Sequence, residues 1–125
     1  MRKLIYFCLA LFWTSAVAYS CLMPSDELPS ITIPYFDKLV HVGFHFGITL
    51  FWFLYLNIRF NWTNIYKALL LAFVFSVLFG IGIEIAQGFY TQTRSQDVAD
   101  VLSNTIGGCL AIVIALRLRK HNIKF

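Results

Sequence analysis

Residues 68–87, ALLLAFVFSVLFGIGIEIAQ, decide the fold. No charge interrupts this run before Glu84, and as an α-helix its twenty residues cover about 30 Å, the hydrocarbon thickness of a bilayer. A soluble core helix would alternate this apolarity with a polar stripe. Here the only breaks are Ser76, two glycines, and Glu84 and Gln87 at one end.

Three more runs of similar length flank it, over residues 4–23, 39–58 and 98–116. With 59% hydrophobic residues, 18% aromatics and 13% charged residues, the 125-residue chain departs from the balance of a soluble domain. The expected fold is all-α, a polytopic membrane bundle of four transmembrane helices forming one domain over residues 1–125.

Basic residues orient the bundle, because cytoplasmic flanks retain Lys and Arg. With the amino terminus inside, the inner flanks hold Arg2, Lys3, Arg59, Lys67, Arg117, Arg119, Lys120 and Lys124, and the outer flanks only Lys38 and Arg94. Eight against two predicts a multi-pass protein of a bacterial inner membrane with both termini cytoplasmic. The net charge of +4 then reads as an orientation signal and an attraction to anionic lipid, not as a nucleic-acid surface. Arg2 and Lys3 before an apolar run, with Ala18-Tyr19-Ser20 behind it, also fit a signal peptide. The run is long for that role, and an uncleaved helix keeps the charge count consistent.

Pro24, Pro29 and Pro34 break the first outer loop, and residues 57–64 form the inner turn. Asn61-Trp62-Thr63 matches a glycosylation sequon but falls on the cytoplasmic side. Trp62, Tyr55 and Tyr66 read as an inner aromatic belt, and Tyr35, Phe36, Phe89 and Tyr90 as an outer one. Cys8, Cys21 and Cys109 lack any CxxC spacing, so no disulfide framework is expected. Gly43-x-x-x-Gly47 and the Gly107, Ala111, Ala115 series let helices approach closely, within one molecule or in a homo-oligomer.

The polar residues of the spans gather at the outer end. Asp37, His41 and His45, spaced i, i+4, i+8, share a face of the second helix. Glu84 and Gln87 close the third, and Asp97, Asp100 and Asn104 open the fourth. Charges at membrane depth face the bundle interior, because lipid exposure at the bilayer centre costs on the order of 2.5–3.5 kcal/mol. The expected arrangement is one outward-facing polar pocket between the last three helices. Several of these residues also have structural readings: Asp97 and Asp100 as caps of the fourth helix, Arg94 as their neutraliser, His41 and His45 as hydrogen-bonded interior histidines, and Asn104 as interhelical glue.

The pattern Pro34-x-x-Asp37-Lys38-x-x-His41, followed by Glu84, Gln87, Arg94-Ser95-x-Asp97, Asp100, Asn104 and Gly107, resembles the VanZ-like family of small bacterial membrane proteins. The likeness spans residues 34–108, and the first helix matches in character only. It implies several helices and a place in the cell envelope. For the founding member it implies low-level resistance to the glycopeptide teicoplanin, but it supplies no reaction. His45 stands where members often carry an aromatic residue, so no family role passes to it.

Three readings of function remain open. In the first, the pocket binds membrane lipids, an envelope precursor or an acylated glycopeptide, with Arg94 and Lys38 on phosphate or carboxylate and Asp37, Gln87, Asp97, Asp100 and Asn104 around the head. In the second, an intramembrane enzyme acts on a lipid-linked substrate, with Glu84 as general acid or base and Asp37 orienting His41. No nucleophile motif supports it, and Ser95 lacks a surrounding elbow. In the third, the cluster only locks the helices together. Within the enzymatic reading, His41 and His45 at i, i+4 present two imidazoles that a carboxylate from another span could complete into a metal site, but Val42 stands where the Glu of His-Glu-x-x-His would follow His41, so no cofactor and no metal are expected. A transport path is disfavoured by the apolar inner half of every span.

Overall fold

The computed structural model describes residues 1–24, 26, 30, 32–60, 64–91 and 96–120. They form four helices, α1 (Arg2–Leu22), α2 (Phe36–Arg59), α3 (Ile65–Tyr90) and α4 (Val98–Lys120), each long and apolar enough to cross a membrane. At 1.5 Å per residue they run about 31 to 39 Å, longer than the roughly 30 Å of hydrocarbon. Their polar ends therefore reach the headgroup region as helix.

That excess explains where the helices outrun the apolar segments. Hydropathy reports only the stretch that must be greasy, whereas capping groups set the ends. α3 begins three residues before Ala68, at Ile65, because the Asn64 side chain accepts the Lys67 N–H at 2.9 Å. The chain enters α2 through Pro34 and a left-handed Tyr35 (φ 58°), which puts Asp37 and Lys38 in the first helical turn. At its other end α2 continues through Asn57, so the inner turn is shorter than residues 57–64. α1 stops where Met23 turns extended ahead of Pro24.

α2 packs against all three other helices, and α1 leans on α2 and α3. α4 lies closest to α2. A Cβ on Gly107 would strike the Val42 carbonyl, and Ala111 and Ala115 on the same face are buried. The Gly43/Gly47 pair divides: Gly47 abuts the Trp13 indole, whereas Gly43 has open space around it.

An apolar core of Phe53, Ile65, Ala68, Leu69, Ala72 and Ala115 fills the end of the bundle away from Glu84. A second core, Val17, Cys21, Ile48 and Ile83, joins α1 to α2 and α3. α1 is fastened by polar atoms as well. Trp13 Nε1 donates to the Phe44 carbonyl and Trp52 Nε1 to Thr14 Oγ1, both at 3.0 Å. Leu70, Leu78, Leu102, Ile106 and Leu110 face outward, as lipid-contacting positions must.

Cys8 and Cys109 are free and exposed, and Cys21 is buried in the second core. Of the aromatic belts, Tyr35, Phe89 and Tyr90 are exposed at one end, and Tyr66 is exposed at the other beneath the Arg119 guanidinium, 5.7 Å from its ring. Trp62 lies outside the described residues.

Candidate functional site

The polar cluster is built where α2 begins, α3 ends and α4 begins. Lys38, in the first turn of α2, aims its ammonium at the start of α4. Its Nζ lies 2.5 Å from Asp97 Oδ2, in contact with Asp100 Oδ1, and 3.1 Å from Asp37 Oδ2. These charge-assisted contacts tie α2 to α4.

Asp97 is both cap and ion-pair partner. It immediately precedes α4, and its Oδ1 accepts the Ala99 N–H at 2.8 Å while Oδ2 takes Lys38. The Lys38 ammonium, and after it the Ala99 N–H, holds the Asp97 carboxyl below the ordinary aspartate value. Asp100, also proposed from sequence as a cap, instead reaches inward to Lys38 and His41.

His41 is buried one turn below Lys38. Its Nδ1 lies 3.0 Å from Asn104 Oδ1 on α4, and its Nε2 lies 3.6 Å from Asp100 Oδ2. An amide oxygen only accepts, so Nδ1 carries the proton and donates it to Asn104. The partner that orients His41 is therefore Asn104, not Asp37 as the i, i+4 spacing suggested. Asp37 is largely exposed, and its side chain is engaged by Lys38.

Glu84 enters from α3. One oxygen, Oε2, accepts the Asp97 backbone N–H at 3.2 Å. The other, Oε1, is fully buried and has no hydrogen-bond partner. One ligand atom each from His41, Glu84 and Asp100 lie within 4.8 Å of one another, all three residues buried.

Two residues grouped with these by sequence stand apart. Gln87 turns toward α1, where its Nε2 donates to the Cys21 carbonyl at 2.7 Å and satisfies an orphan acceptor at that helix end. His45 lies a turn deeper than His41, with Nδ1 2.8 Å from Ser76 Oγ on α3, so the two histidines do not converge. Arg94 and Ser95 lie outside the described residues.

Sequence reasoning passed over Ser76 and Gly80. Ser76 was visible as the one hydroxyl inside the apolar run. Gly80 matters through what it lacks: a Cβ there would meet Asn104 Nδ2 at 2.7 Å and His45 Cε1 at 2.9 Å. Its bare backbone makes room for both polar side chains.

Four membrane-length helices with a half-buried lysine and a buried histidine, carboxylates and asparagine between three of them define a multi-pass α-helical membrane protein. The sequence profile of the VanZ/LLP1 family matches residues 4–119, and the chain belongs to that family. No curated protein and no solved structure matches it.

Proposed function

We propose that the protein binds the polar head of an envelope lipid or lipid-linked molecule at the Lys38–His41–Glu84–Asp97–Asp100–Asn104 cluster, with the apolar tail alongside the helices. The reading includes a bacterial cytoplasmic membrane, cytoplasmic termini, and the cluster on the extracytoplasmic side, as the distribution of basic residues favours.

The observation that carries it is Glu84. Buried polar atoms of Thr49 and Asn57 also lack a partner, but those side chains are neutral; a carboxylate with one fully buried, unpartnered oxygen is the costlier case, and such a group marks a place where something else belongs. A lock between helices would not need it, because the Lys38–Asp97–Asp100 contacts already join α2 to α4.

The group that would receive the head differs from the sequence expectation. Lys38 is already shared among three aspartates and is not a free anion receptor. Arg94 remains the other candidate for phosphate or carboxylate. The enzymatic reading draws on the same residues, with Glu84 as general acid or base and His41 oriented by Asn104; turnover of lipid-linked substrates by purified protein separates it from binding alone.

Cells carrying the parent, Glu84→Gln, Arg94→Ala or Asp97→Asn, compared for sensitivity to glycopeptides and detergents, test the proposal. The Glu84 and Arg94 variants should shift the sensitivity profile, teicoplanin included, toward that of cells lacking the protein while still accumulating in the membrane. Parent-like profiles for both would remove the assigned role.

A further inference from the structure

His41, Glu84 and Asp100 come from three different helices, yet their free acceptors face one small volume. The Nδ1 proton of His41 goes to Asn104, so it is Nε2 that carries the lone pair in the neutral tautomer. That lone pair looks at Asp100 Oδ2 across 3.6 Å. Glu84 Oε1, on a side chain only 4% exposed, completes a group of acceptors without a donor among the described residues.

Acceptors do not hold one another. Electrostatics points the same way among the described residues, since Lys38 is shared by Asp37, Asp97 and Asp100, while the fourth carboxylate, Glu84, accepts the Asp97 backbone N–H. A divalent cation would remove most of that excess and satisfy every open lone pair at once.

We propose that His41 Nε2, a Glu84 oxygen and an Asp100 oxygen bind one divalent transition-metal ion, with Asn104 fixing the histidine tautomer. One imidazole and two carboxylates form a borderline-hard donor set suited to Zn²⁺ or Mn²⁺. Their ligand atoms lie within 4.8 Å of one another, and around a tetrahedral ion with ligands about 2.0–2.1 Å away they would stand about 3.4 Å apart. Side-chain movements of up to about 0.7 Å on each partner close that gap. Lys38 holds the second Asp100 oxygen, and the Asp97 N–H holds the second Glu84 oxygen, so each ligand has an outer partner.

The site departs from the His41/His45 pair that sequence spacing offers, because His45 is spent on Ser76. It rests on the head-binding proposal in one respect. An ion with open positions gives an acidic cluster the means to hold a phosphate- or carboxylate-bearing head.

The test uses full-length protein purified in detergent without chelator. Elemental analysis should find close to one equivalent of metal in the parent and in Cys8→Ser/Cys109→Ser, and a small fraction of that in Glu84→Gln and His41→Gln. Zn²⁺ or Mn²⁺ returned to chelator-stripped parent should raise its unfolding temperature, and Mg²⁺ should not. Asn104→Ala keeps all three ligands and should weaken the metal about 10- to 100-fold, which covers the case in which a ligand variant fails to fold.

Stripped parent that responds to neither ion, or metal content that survives both Glu84→Gln and His41→Gln, overturns the site. Bound lipid is measured separately on the same samples. Lipid without metal sinks the metal site alone, and metal without lipid sinks the head-binding role alone.

Discussion

At the residue scale the chemistry turns on which atom each side chain leaves uncommitted. Lys38 is the counter-charge for Asp97 and Asp100, and neither it nor Asp100 is well exposed. Lys38→Met should lower stability by about 1–3 kcal/mol in detergent unfolding, because it strands the Asp100 carboxylate, which water cannot fully reach. A loss indistinguishable from that of a surface lysine would contradict the pairing. Asp97 supplies a pH dependence. Its folded-state pKa is depressed, so its contribution is present above the ordinary value near 3.8 and is lost as pH falls through the lower folded value. Parent should exceed Asp97→Asn in stability at neutral pH, and the two should converge in acid below that value; a gap that persists there would show the cap geometry, not the charge, to be responsible. The residues of this cluster were legible in the sequence because charge inside an apolar run is conspicuous. Their pairing was not. Periodicity placed Asp37, His41 and His45 on one face, but partners across the helix interface depend on rotation and depth, which no single helix encodes.

At the element scale, glycine spacing promised close helix approach without saying which glycine delivers it. Gly43 and Gly107 make the contrast testable. Gly107→Ala places a methyl group against the Val42 backbone and should cost about 1–3 kcal/mol as α4 is forced off α2. Gly43→Ala meets open space and should unfold at or slightly above the parent temperature, given alanine's higher helix propensity. Equal effects in thermal unfolding would mean that the α2–α4 contact is not as described. The existence and order of the four helices followed directly from hydropathy, since spanning a bilayer demands length and apolarity together. Their ends did not, because Asn64, Tyr35 and Asp97 set them through local hydrogen bonds and backbone geometry invisible to an apolar count.

For the molecule as a whole, the cluster end and the basic end are opposite ends of one bundle. If the basic end is cytoplasmic, a membrane-impermeant thiol reagent applied to intact cells with a permeable outer envelope should label Tyr90→Cys but not Tyr66→Cys. Both positions are well exposed in the structure and sit at opposite ends of α3. Labelling only the second would invert the orientation and place the cluster in the cytoplasmic leaflet. Under the proposed function His41 and Glu84 serve one shared ligand. Native mass spectrometry of the protein ejected from detergent micelles, for the parent, Glu84→Gln, His41→Gln and the double variant, tests it most directly. A bound envelope lipid should be present on the parent and largely lost from either single variant, with no further loss in the double. Retention of the same lipid by all four, in protein that remains folded, would contradict it.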